Sequence, residues 1–123
     1  MNRVAVTGMG IISPIGNSIS AFWQALIEGR CGIRHLTRFD ASDFKVKIAA
    51  ELSEFDPTQF GMEFAEARRM DLFTQYALAA AHQAMEQSGL LGQADPHRFG
   101  VNISSGIGGI HTFFYESEKL LNR

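Results

Sequence analysis

The order of periodicities along the chain predicts an α/β fold. Three observations carry this expectation: a β-branched run at Arg3–Thr7 that ends in glycine, a long helical pattern over 71–88, and a second extended run at Phe99–Ile103 followed by a glycine turn and another helical pattern. Runs of mostly apolar residues with little alternation read as strands buried on both faces, as in a parallel sheet.

Arg3–Thr7 opens the core, and Gly8 closes it. With Asn17 or Ser18 as N-cap, Ile19, Phe22, Trp23, Leu26 and Ile27 fall on one helix face, and Gly29 stops that helix from the C′ position. Between Cys31 and Gly61 the pattern loosens. There Val46, Ile48, Ala50 and Leu52 alternate with Lys45, Lys47 and Glu51 as a half-exposed strand would, and Asp56-Pro57 marks a turn or a helix start. Asp71–Ser88 is the strongest helix signal, with Phe73, Ala77, Ala80, Ala81 and Ala84 along one side and Ser88-Gly89 at its end. Small residues on that side imply close packing between layers. After Phe99–Ile103 comes the turn Ser104–Gly109, and Ile110, Phe113, Phe114, Ser117, Leu120 and Leu121 resume helical spacing. Two core strands fall short of the roughly four to six of a common sheet, so the segment reads as part of a larger layered domain.

Composition excludes several classes. The chain has 123 residues, 46% of them hydrophobic, and its 11 Lys and Arg against 13 Asp and Glu leave a net charge of −2, too little basic character for a nucleic-acid binder. The single Cys31 has no intrachain disulfide partner, and the N-terminus does not read as a secretory signal, which together point to a reducing cytoplasmic setting. The uncharged stretch from Val4 to Ile27 is broken by Gly8, Gly10, Pro14, Gly16, Asn17 and Gln24 and lacks the roughly 18 continuous apolar residues of a membrane span, so no membrane insertion is expected.

Each motif has a bland reading beside its functional one. Gly8-Met9-Gly10-Ile11-Ile12-Ser13 follows a strand and approaches the dinucleotide fingerprint, which would suit a nicotinamide-dependent oxidoreductase. Pro14, Gly16 and Asn17 postpone the helix whose N-terminus should meet the pyrophosphate, and the acidic residue expected further on could only be Glu28, inside a helix end. Ser104–Gly109 could cradle an anion but lacks a P-loop lysine; three glycines more commonly serve close packing. Cys31 with His35 four residues on has no glycine-backed anion hole, and a structural thiol is favoured. His35, His82, His97 and His111 show no ligand spacing, so no metal site is expected. Arg68-Arg69 is a solvated face or a docking point for an acidic or phosphorylated partner, with Glu63 and Glu66 partly cancelling its field.

Three segments taken together resemble one family: Val4–Asn17 (V-A-V-T-G-M-G-I-I-S-P-I-G-N), Arg68-Arg69-Met70-Asp71, and Ser105-Gly106-Ile107-Gly108-Gly109. They are similar to the opening of a β-ketoacyl-acyl-carrier-protein synthase of the type II elongating kind, and the resemblance covers essentially the whole chain. It implies a thiolase-like layered αβαβα fold built from two similar halves, of which 1–123 is the incomplete opening part of the first. It also implies a cytoplasmic homodimer that elongates fatty acids, transferring an acyl group to a cysteine and condensing it with malonyl-acyl-carrier protein to give a 3-oxoacyl-carrier protein and CO2.

Further implications follow the motif positions. The nucleophilic cysteine and both catalytic histidines are expected beyond Arg123, so no catalytic residue lies in this segment and it should be inactive by itself. Cys31 matches a position usually held by serine or another small residue. Ile107 matches the residue lining the inner end of the acyl pocket, with Gly106 and Gly108 giving its backbone room to turn. Arg68 and Arg69 match basic positions that dock the acyl carrier protein and its phosphopantetheine arm, while Ala65 departs from a commonly basic one. No cofactor is implied beyond the phosphopantetheine that carries the substrates. A non-catalytic partner subunit of the chain-length-factor type is the alternative. The isolated segment would leave sheet edges and an apolar face uncovered and should be poorly soluble.

Overall fold

The computed structural model describes residues 3–122. Helix α1 covers Ile19–Ile27 and is capped by the Ser18 hydroxyl, which accepts the Ala21 N–H at 3.2 Å. It ends in a Schellman arrangement around Gly29 at φ +65°: the Arg30 N–H reaches the Ala25 carbonyl at 2.9 Å and the Gly29 N–H that of Leu26 at 3.0 Å. A tight turn at Ser13–Gly16, closed by reciprocal backbone bonds of 3.1 and 3.2 Å, separates this helix from the N-terminal segment.

The middle of the chain is a short antiparallel ribbon. β1 (Arg34–His35) pairs with β2 (Ile48–Ala49) in the register Arg34 to Ala49 and His35 to Ile48, and Leu36 donates to the Lys47 carbonyl at 2.9 Å. The alternating stretch at 46–52 is therefore a strand over two residues only. Beyond it the Glu51 carboxylate takes over, accepting the Thr37 N–H at 3.0 Å and its hydroxyl at 2.9 Å. Arg38 then ties the ribbon to the main helix, donating to the Leu52 carbonyl at 3.0 Å and to the Tyr76 hydroxyl at 3.3 Å.

Asp56-Pro57 starts a 3-10 helix, Pro57–Phe60, with Asp56 as its N-cap. A four-residue helix α2 (Phe64–Ala67) follows, which the periodicity did not predict, and then α3 (Leu72–Ser88) and α4 (Ile110–Leu121). Phe55 meets the Tyr76 ring edge-on with centroids 4.9 Å apart and stacks on Phe60 at 5.7 Å, which seats the 3-10 helix against α3.

Two expected strands are corrected. Arg3–Thr7 and Phe99–Ile103 form no strand, and no strand pairs with them among the described residues. Nor are they buried: Val4, Val6 and Val101 expose 95, 80 and 74% of their surface. A strand is defined by the backbone beside it, and here the N-terminal segment finds side chains instead. Met9 donates its N–H to the Gln87 amide oxygen at 2.6 Å, and the Gln83 amide donates to the carbonyls of Ile11 at 3.0 Å and Asn17 at 3.1 Å.

The apolar faces also differ from expectation. Trp23 and Ile27 of α1 are exposed, as are Phe113, Phe114, Leu120 and Leu121 of α4, and the residues of α3 that are buried are Gln75 and Ala79 rather than Phe73. Among the described residues the buried apolar ones are the alanines 25, 41, 67 and 79, and no large side chain is fully enclosed. The accessible surface is 10342 Å², against about 6,600 Å² for a self-contained folded monomer of this mass. No helix among the described residues is long and apolar enough to cross a membrane.

Candidate functional site

Two turns meet at the beginning of α3. The first carries Arg68 and Arg69. After α2 the backbone continues in overlapping turns, Arg69 N–H to Glu66 at 2.9 Å and Met70 N–H to Ala67 at 3.0 Å. The carbonyls that flank the arginine pair are both taken by one buried side chain: the Gln75 amide nitrogen donates to Ala67 at 2.8 Å and to Met70 at 3.0 Å. A buried amide with its donors satisfied by backbone holds a turn rigidly, because leaving those groups unpaired would cost about 1–3 kcal/mol. The two arginine side chains are exposed. Arg68 lies over the Phe64 ring at 6.0 Å, and among the described residues neither arginine is bridged to a carboxylate, Glu63 and Glu66 included.

The second turn is Ser104–Gly109. Gly108 has φ +73°, a conformation that costs a side chain dearly, and its N–H is held by the Ser105 hydroxyl at 3.0 Å. A Cβ at Gly108 would lie 3.8 Å from the Phe73 ring, whereas one at Gly109 would overlap the Asp71 carboxylate. Asp71 is the N-cap of α3, yet its side chain makes no capping bond to its own helix; it accepts the hydroxyl of Thr112, in the first turn of α4. The carboxylate thus stands near the start of α4, where the helix dipole favours negative charge. A cleft of about 270 Å³ runs between residues 70–73 and 108–111. Gly108 borders it; Gly106 faces open space and Ile107 is 78% exposed.

The other motifs resolve differently. A Cβ on Gly8 or Gly10 would overlap the backbone carbonyl of Ala84 or Ala80, so these glycines exist for the approach of the N-terminal segment to α3, and the turn after them bars a dinucleotide helix. Cys31 is free and exposed. His82 faces Glu86 at 3.5 Å on its own helix, and among the described residues no three potential ligands gather to hold a metal ion.

The first turn of α3, with Asp71 and Gln75 reaching opposite ways, joins an arginine turn to a glycine turn, and both motifs fall inside one matching family, "Beta-ketoacyl synthase, N-terminal domain", over residues 1–123. The chain belongs to the β-ketoacyl synthases. This β-ketoacyl synthase segment is 47% identical over 109 residues to the 3-oxoacyl-[acyl-carrier-protein] synthase 2 of Coxiella burnetii, covering 88% of the chain and 26% of the relative. It is 46% identical to the Vibrio cholerae protein of the same name, covering 98% of the chain and 29% of the relative. Among solved structures it superposes on "The ishigamide ketosynthase/chain length factor" with a TM-score of 0.72 at 29% identity, over 95% of this chain and 29% of that one. The chain therefore spans a little over a quarter of the length of these relatives, and its fold is part of the thiolase-like ketosynthase fold.

Sequence reasoning missed α2, Gln75 and the Asp71–Thr112 contact. A polar Gln75 one turn after an N-cap Asp71, in a first half of the helix otherwise rich in apolar and small residues, is the signal that could have found Gln75.

Proposed function

We propose that the whole protein is a fatty-acid-elongating acyltransferase. It moves an acyl group from the phosphopantetheine thiol of acyl carrier protein to a cysteine thiolate, releasing the carrier thiol. Malonyl-carrier protein then loses CO2, and the resulting carbanion attacks the acyl thioester, expelling the cysteine and giving 3-oxoacyl-carrier protein. The reactive cysteine and the histidines belong beyond Arg123, and the residues described here serve delivery and fit. Arg68 and Arg69 dock the acidic carrier, and Ile107 with Gly106 and Gly108 bounds the acyl chain. No further cofactor is needed, and the working form is a cytoplasmic homodimer.

The observation that carries this reading is the joint anchoring of the two turns on the first turn of α3: a bare dicationic turn stands beside the glycine turn that the pocket needs. The relatives' shared name, synthase 2, supports the chemistry. The test is to incubate the whole protein with acyl- and malonyl-carrier protein and follow CO2 release together with the 3-oxoacyl product. Equimolar formation of both is expected. Decarboxylation without a condensed product, or no turnover, would refute the assignment.

A further inference from the structure

We propose that Asp71 and Thr112 are positioning residues for acyl-chain selection, fixing the Ile107 turn to the helix that also fixes the arginine turn. The inference rests on the reading of Ile107 as pocket lining.

Among the described residues the glycine turn meets α3 along Gly108 to Thr112. What seats the turn on α3 is the Thr112 hydroxyl on Asp71, the Gly109 backbone pressed against the same carboxylate, and the Phe73 ring beneath Gly108. Asp71 is not consumed elsewhere: it makes no capping bond to its own helix, and no described cation bridges it. One helical turn later, Gln75 donates its backbone N–H to the Asp71 carbonyl at 3.2 Å while its side chain grips the arginine turn. A single turn of α-helix has little freedom to stretch. The distance between the docking point of the carrier and the residue that meets the acyl chain is thereby set by Asp71 and Gln75, and a carrier arm of fixed reach makes that distance a selector of chain length.

The test uses the whole protein and compares Thr112→Val, which keeps shape but loses the hydroxyl, with Thr112→Ser, which keeps it. The readout is kcat/KM for a series of acyl-carrier proteins of increasing chain length. Thr112→Val is expected to reduce the discrimination between medium and longest chains by about three- to tenfold, the effect of one ordinary solvent-exposed hydrogen bond, and Thr112→Ser to restore it. Asp71→Asn, a weaker acceptor of the same size, should give a smaller change in the same direction and serves if the valine variant does not fold. An unchanged length profile, a loss equal at every chain length, or equal effects of valine and serine would overturn the proposal. Ile107→Phe is run beside them: if it shifts the profile and Thr112→Val does not, the positioning role alone falls. If neither shifts it, the pocket reading falls and takes the proposal with it.

Discussion

Arg68 and Arg69 extend from a turn clamped on both sides by Gln75, so their charges are presented from a fixed place without neutralising partners. Exposed ion pairs are worth only about 0.2–1 kcal/mol each, yet two together steer an acidic partner strongly when screening is weak. Arg68→Glu combined with Arg69→Glu should therefore raise the KM of the whole protein for carrier-linked substrate by about tenfold or more at low salt, with little change in kcat and a smaller effect at high salt. Steady-state kinetics at two ionic strengths check this, and unchanged kinetics would remove the pair from the docking surface. Ile107→Phe should shorten the longest chain accepted, since overfilling a packed pocket costs roughly 1–3 kcal/mol; product lengths resolved by mass spectrometry decide it. At this scale the sequence was legible for the glycine turn, whose close approach to α3 at Gly108 and Gly109 is the packing its composition suggested. It was opaque for Asp71 and Thr112, which are 41 positions apart and have no local pattern to join them.

The helices were the most legible elements, because their caps and stops are local. Gly29 and Gly89 stand at the stops the pattern assigned to them and Ser18 is the one of the two offered N-caps that is used, while Asp71, read as the first helical residue, caps α3 from outside. The strands were not, because pairing is decided by distant backbone: Arg3–Thr7 finds no strand partner among the described residues, and just after it Met9 and Ile11 bond to Gln87 and Gln83 of α3. Ala80, Gln83, Ala84 and Gln87 make one face of that helix, with alanines beneath the glycines and glutamines beside them. Gly10→Ala places a methyl group against the Ala80 carbonyl and should destabilise the whole protein by roughly 1–3 kcal/mol, measured as a lower urea midpoint. The ribbon carries a pH dependence of its own. Burial acts to raise the Glu51 carboxyl, but the Thr37 hydroxyl and N–H, the Arg38 N–H and the Arg38 charge together hold it below its ordinary value of 4.5. A carboxyl depressed in the folded state stabilises above its unfolded value, and that stability is lost as pH falls through the folded one. Glu51→Gln should lower the urea midpoint at pH 7, and the gap from the parent should close on acidification below about pH 4.5. A gap that persists at pH 3 would show that the bonds to Thr37 do not depend on the charge.

Across the whole molecule, the surface left open is the dominant fact. An area of 10342 Å² is about one and a half times that of a self-sufficient monomer of this size. The excess is apolar: Val4, Val6, Trp23, Phe113, Phe114 and Leu121 all point outward. The 123-residue segment produced by itself should associate with itself, seen as an apparent mass that climbs with concentration in light scattering, and should release no CO2 from malonyl-carrier protein. A monodisperse monomer at 13.6 kDa would contradict the first expectation. The fold class was legible from the order of strand-like and helical runs, and the larger architecture from the shortage of strands; the faces that stay bare could not be, since amphipathic spacing says which side is apolar and not what covers it.

Three stretches far apart in sequence, 8–17, 67–70 and 108–112, all take their bearings from α3. Length changes should therefore be tolerated very unequally. The loop after Gly89 carries no such tie, and an inserted tag there would leave every bearing intact. One extra residue in α3 between Gln75 and Ala80 would turn the downstream half by about 100°, so that the glutamines facing the N-terminal segment and the side chains gripping the two turns could no longer be satisfied together. Within this helix the spacing of residues, more than their identities, is what natural variation and protein engineers alike must leave untouched.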